Sequence, residues 1–123
     1  MDRFHFAKGI DPVANAFAGT VRSDVYNMSG WYRGLFVIYQ GVGATGSSTF
    51  TVNACDNVTP SNRSAIPFRY REILSGDTEG AITSATSTGF VGTVGSSKIV
   101  LIEFDASALA PSGYGYVELT AIE

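Results

Sequence analysis

The sequence predicts an all-β fold: a single-domain antiparallel β-sandwich or jelly roll of about seven to eight strands, preceded by an N-terminal extended arm. Three observations predict it. Each strongly apolar segment is strand-length and bounded by Gly, Ser, Pro or Asn turn residues. Several of these segments alternate apolar and polar residues with period two. No segment carries a helical pattern longer than about two turns.

Residues 1–23 form the arm. Phe4, Phe6, Ile10, Val13 and Phe17 are scattered among Gly9, Pro12 and Gly19 without sustained periodicity. A short helical turn fits residues 11–17, with Asp11 as N-cap, Pro12 at the first helical position and Gly19 as the stop. The segment is too aromatic to sit bare in water, so it docks on its own domain or on a neighbour. Residues 24–123 form the β-sandwich domain.

Residues 31–40 are apolar on both faces, Leu35, Val37 and Tyr39 against Phe36 and Ile38, which predicts a central strand covered on both sides. Residues 41–47 read as a hairpin turn into residues 48–56, where Phe50, Val52 and Ala54 face one way and Thr49, Thr51 and Asn53 the other. Residues 66–74 read as the next strand, with Ile66, Phe68 and Tyr70 inward, Arg69 and Arg71 outward, and Pro67 near its start or at an edge. Residues 81–86 and 90–94 are weaker strands, poor in large side chains and suited to an edge. Residues 98–104 are the second strong core strand. After a longer connection at residues 105–113, residues 114–122 close the domain.

The 123 residues suit one domain, and 45% hydrophobic residues can fill a core without metal or disulfide help. The charged fraction is 15%, against about a quarter in ordinary domains. A net charge of −3 gives no basic footprint for nucleic acid. No apolar run approaches the ~20 residues that span a bilayer, and the charged N-terminus does not read as a signal peptide. Neither nucleic acid nor membrane is an expected partner. The single cysteine, Cys55, excludes an internal disulfide framework and reads as a small buried hydrophobe.

Catalytic patterns find no support. Residues 41–46 match G-x-G-x-x-G, but a strand follows where a dinucleotide site needs a helix N-terminus. His5 is the only histidine and has no companion ligands, so no metal site and no Ser-His-Asp arrangement is expected. Asp24, Asp56, Glu72, Asp77, Glu79, Glu103, Asp105 and Glu118 are scattered singly and read as solvated or turn-capping acids. The expectation is no catalytic residue, no cofactor, no metal and no small-molecule substrate. The candidate interface residues are instead Phe4, Phe6, Ile10 and Phe17 of the arm, Arg69 and Arg71 on one strand face, and Tyr114 and Tyr116. Arginine forks carboxylates well across an interface, and aromatic rings anchor one.

The order of features carries a resemblance. Asp24-Val25-Tyr26-Asn27-Met28 leads into Gly34-Leu35-Phe36-Val37-Ile38-Tyr39-Gln40, then the glycine-rich turn, Thr51-Val52-Asn53-Ala54-Cys55-Asp56 and Ala65-Ile66-Pro67-Phe68-Arg69-Tyr70-Arg71. Ile102-Glu103-Phe104-Asp105-Ala106, Leu109 and Gly115-Tyr116-Val117-Glu118-Leu119-Thr120 complete it. This pattern, over residues 24–121, is similar to small virion structural proteins of tailed bacteriophages, the capsid decoration (cement, or head auxiliary) proteins. The resemblance implies a β-sandwich or jelly roll that binds the exterior of the assembled capsid and stabilises it, with the major capsid protein as partner and no cofactor. It implies a homo-oligomer made in the host cytoplasm and resident on the virion. A head–tail connector or tail component is the alternative, and a carbohydrate-binding module a more distant one.

Overall fold

Alternation along the chain sorts side chains to two sides of each strand, and burying the apolar side of each requires two sheets face to face. The structure, a computed structural model, describes residues 4–12, 18–42 and 46–123. In chain order it contains β1 (Thr20–Arg22), β2 (Tyr26–Asn27), β3 (Arg33–Gln40), β4 (Thr49–Cys55), β5 (Arg63–Ile66) and β6 (Phe68–Ser75). There follow β7 (Thr78–Glu79), β8 (Thr83–Ala85), β9 (Phe90–Val91), β10 (Lys98–Asp105), a 3-10 helix (Ala106–Ser112) and β11 (Tyr116–Ile122). Two antiparallel sheets pack as a sandwich. The first has six strands, ordered β1-β11-β4-β5 with β2 on β11 and β9 on β4. The second has five, ordered β3-β10-β6-β7 with β8 on β6.

The core lies between the sheets. β4 contributes Phe50, Val52 and Ala54, β11 contributes Val117, Leu119 and Ala121, and β10 contributes Val100, Ile102 and Phe104, all buried. Phe90 seams the two layers together. Its ring stacks on Tyr70 of the second sheet with centroids 3.7 Å apart, and on Phe50 of the first at 5.4 Å. Two glycines fit tight places. A Cβ on Gly34 would collide with the Phe104 ring, and Gly89, at φ +81°, lies against the Phe50 carbonyl. The 3-10 helix fills the connection after β10 and plugs Leu109 into the core.

Several expectations change. Eleven strands occur among the described residues, more than the seven to eight expected, because β1, β2, β7, β8 and β9 are only two or three residues long. β3 and β4 belong to different sheets, so the glycine-rich connection is a crossover and not a hairpin turn. Residues 66–74 are not one strand. Ile66 ends β5 in the first sheet and Phe68 begins β6 in the second. Pro67 sits at that switch, where its missing N–H breaks neither ladder. β3 is an edge strand, not a central one. Within the arm, Thr20–Arg22 pair with Thr120–Ile122, so the sheet begins before residue 24. The expected turn at residues 11–17 falls mostly outside the described residues.

Candidate interaction surfaces

The outer face of the second sheet is assembled by the register of its strands. Opposite residues in an antiparallel pair point to the same side. Tyr39, Ile99 and Ile73 therefore form one cross-strand row, Val37, Leu101 and Arg71 the next, and Leu35, Glu103 and Arg69 the third. β3 supplies the barest part: Leu35, Val37 and Tyr39 are 58%, 64% and 69% exposed. Ile82 lies exposed beside them, and with Leu35, Leu101 and Arg71 it lines a shallow hollow of about 190 Å³. Contiguous exposed apolar surface of this kind marks contact with another macromolecule more often than chance exposure does.

The rim of this face is charged but self-neutralised. Arg69 reaches Asp105 with two hydrogen bonds of 3.0 and 3.2 Å and Glu103 with one of 3.2 Å. Arg33 joins the same acids at 3.3 and 3.4 Å. The Arg69 fork, and secondarily the Arg33 charge, holds the Asp105 carboxyl below its ordinary range. Arg71 is paired with Glu79. Arg69 and Arg71 do point outward as their positions require, but their charges meet acids of the same chain. A second hollow, of about 260 Å³, lies between β6, β8 and the 3-10 helix. The charged groups lining it are Arg69, Glu103 and Asp105, already engaged with one another.

The N-terminal aromatic residues form a second surface. The arm is fixed at Lys8, whose carbonyl accepts 2.8 Å from the Tyr26 hydroxyl, and at Gly9, whose carbonyl accepts 3.1 Å from Asp24 N–H. Burial, and then the Asp24 charge, raises the Tyr26 phenol above its ordinary pKa. Ahead of that anchor, Phe4 and Phe6 stand exposed with rings 6.3 Å apart. His5 meets Trp31 at 6.0 Å, next to Tyr32, which is 92% exposed. Ile10 is half-buried. Phe17 lies outside the described residues. Tyr114 packs against the core and Tyr116 is half-buried, so neither ring stands free.

On the first sheet, Glu118 departs from the expectation of a solvated acid. It is 1% exposed, held by Arg22 of the adjacent β1 at 3.5 Å and by Arg63 at 2.7 Å, which reaches it from β5 across β4. Cys55 lies 3.5 Å from the same carboxylate. Burial, followed by the Glu118 charge, pushes the Cys55 thiol up to about 12, which leaves it an inert buried thiol at neutral pH. Asp56 behaves as a turn acid, accepting from the Ser61 and Asn62 amides. Among the described residues no group of three or more His, Cys, Asp or Glu side chains is placed to hold a metal ion.

Fold and surfaces together define a two-sheet β-sandwich whose unengaged features are apolar and aromatic faces. No family model, no characterised protein and no solved structure matches the chain significantly.

Proposed function

We propose that this chain is a non-enzymatic structural protein of a tailed-phage virion, which binds the exterior of the assembled capsid and stabilises it. The partner in this reading is the major capsid protein. The observation that carries it is the exposed aromatic group made by Phe4 and Phe6, ahead of an anchor at Lys8 and Gly9, and by Trp31 and Tyr32, which the His5–Trp31 contact brings beside them. Large rings held near a fixed point bury much apolar area at low entropic cost, which is how interface anchors work. The low charge of the chain and the order of its turn and strand motifs support the same reading. A protein that binds the finished shell and not its precursor stabilises the shell by mass action, and repetition over a lattice multiplies weak contacts.

The test is co-sedimentation of the purified chain with capsids that lack it. The triple variant Phe4→Ser/Phe6→Ser/Trp31→Ser should bind at least about tenfold more weakly with an unchanged unfolding midpoint. Undiminished binding by that variant contradicts the role given to the aromatic group. A copy number matching a single neck or tail ring, and not the capsomer lattice, would instead favour the connector reading.

A further inference from the structure

The edges of the two sheets are built differently. In the first sheet one edge is shared by β1 and β2, each three residues or fewer, and the other by β5 and β9. In the second sheet β7 and β8 split one edge, with a register shift between Ile73 and Ser75. Short, broken strands and bulges are the usual protection against edge-to-edge pairing. β3 is the exception among the described residues. It runs eight uninterrupted residues, pairs only with β10, and contains no proline and no lysine. Its outward side chains are Arg33 at one end and then Leu35, Val37 and Tyr39.

We infer that β3 is a self-association edge, pairing antiparallel with β3 of a second copy about a two-fold axis at Val37. Three observations select a second copy as the occupant. First, side-chain parity must match across a new ladder, or apolar residues of one strand meet the inward face of the other. Pairing centred on Val37 satisfies this: Val37 meets Val37, Leu35 meets Tyr39, and Phe36 meets Ile38 on the core side. Second, all three exposed apolar residues of β3 are then used in both copies. Each Tyr39 lies over the other copy's Leu35, at the lip of the hollow formed with Leu101 and Ile82. Third, a two-fold brings like against like, so it needs a face without net charge. Here Arg33, Arg69 and Arg71 are balanced by Glu79, Glu103 and Asp105 within each copy. In the Val37-centred register Arg33 lies opposite Gly41, so no like charges face one another. The two second sheets then run on as one, with the apolar stripe continuous across the axis. This inference does not depend on the capsid reading.

The test is charge substitution on the axis, read by sedimentation equilibrium. Wild type should be a dimer. Val37→Lys and Val37→Glu should each be monomeric, with dissociation constants raised at least about a hundredfold, because like charges then face each other. An equimolar mixture of the two should recover the dimer, since Lys now faces Glu. Because Val37 is exposed, both variants should keep the wild-type circular dichroism and, at concentrations low enough for the wild type to be monomeric, its unfolding midpoint. Val37→Cys should cross-link to itself under mild oxidation, with buried Cys55 contributing no background. A wild type that stays monomeric up to about 100 μM, or forms a different oligomer, overturns the inference. So does a dimer that survives Val37→Lys, or a mixture that fails to recover.

Discussion

Replacing Phe90 with alanine isolates the contact that joins the two sheets. β9 is two residues long and, among the described residues, pairs only with Thr49 and Phe50, so its backbone contributes little on its own. The side chain is buried and touches three other rings: Tyr70 at 3.7 Å, Phe50 at 5.4 Å and Phe68 at 6.2 Å. A buried Phe→Ala change costs about 3–5 kcal/mol through lost transfer energy and the cavity left behind. Aromatic pairs add about 0.5–1.5 kcal/mol each beyond area. Tyr70 is half-buried and able to relax into the gap, which offsets part of that sum. The expected loss is therefore about 3–4 kcal/mol, a large share of the roughly 5–15 kcal/mol typical of a domain. Phe90→Leu should lose about 1–2 kcal/mol, and exposed Val91→Ala less than about 0.5 kcal/mol. Urea unfolding monitored by tryptophan fluorescence measures all three, and the slope should not change if only the native state is affected. A Phe90→Ala loss below about 1 kcal/mol, or a Val91→Ala loss equal to it, refutes the seam.

Three further predictions concern polar groups. Native Cys55 should resist a thiol reagent at pH 8 and react fully once unfolded; ionisation alone lowers its thiolate fraction about a thousandfold, and rapid native labelling would show that the Glu118 cluster is open. Lys98 is 3% exposed, and Glu72 lies 3.6 Å from it while accepting two hydrogen bonds from Thr93. Glu72→Ala should thus cost about 3 kcal/mol or more by stranding the ammonium, whereas Lys98→Met should fall within about 1 kcal/mol of wild type; the reverse order in urea unfolding counts against a buried pair. Asp105 should titrate below the ordinary aspartate range in carbon-detected NMR and move up in Arg69→Met. Because its folded pKa is the lower one, its contribution to stability is fully present above the unfolded value and is lost as pH falls through the folded value; an unmoved titration in Arg69→Met would exclude the fork as the cause.

Local chemistry was legible where the chain satisfied its own surfaces. The alternation of residues 49–54 identified Phe50, Val52 and Ala54 as core, and all three are fully buried. Cys55 was recognisable as a buried residue from its small size and its place in that strand, and Asp56 as a turn acid from its position at the strand end. The segment containing β8 was recognisable as edge material by its lack of large side chains, whereas β9 lies at an edge yet carries Phe90, a core ring that the expectation of a weak strand overlooks.

What escaped sequence reasoning depends on register and on which sheet a strand joins, both set by non-local pairing. Alternation puts Arg69 and Arg71 on the outward face, yet Glu103, Asp105 and Glu79 come beside them only through the pairing of β6 with β10 and β7. Glu118 looked like any lone acid because Arg22 and Arg63, which bury it, are distant in sequence. Pro67 reads as a strand start or edge residue, and only the division of β5 and β6 between the two sheets shows it as the crossover. β3 is the most informative departure. Apolar residues on both faces of a strand predict cover on both sides, and that expectation fails for the outer face of β3. In the monomer one face meets the core and the other meets water.

Electron microscopy of the virion assembled with this chain tests the proposed function most directly. The capsid-decoration reading predicts a small β-sandwich density on the outside of the shell, repeated with the capsomer lattice and contacting the major capsid protein through the aromatic N-terminal segment. Density confined to the neck or tail, or particles without the chain, would contradict it.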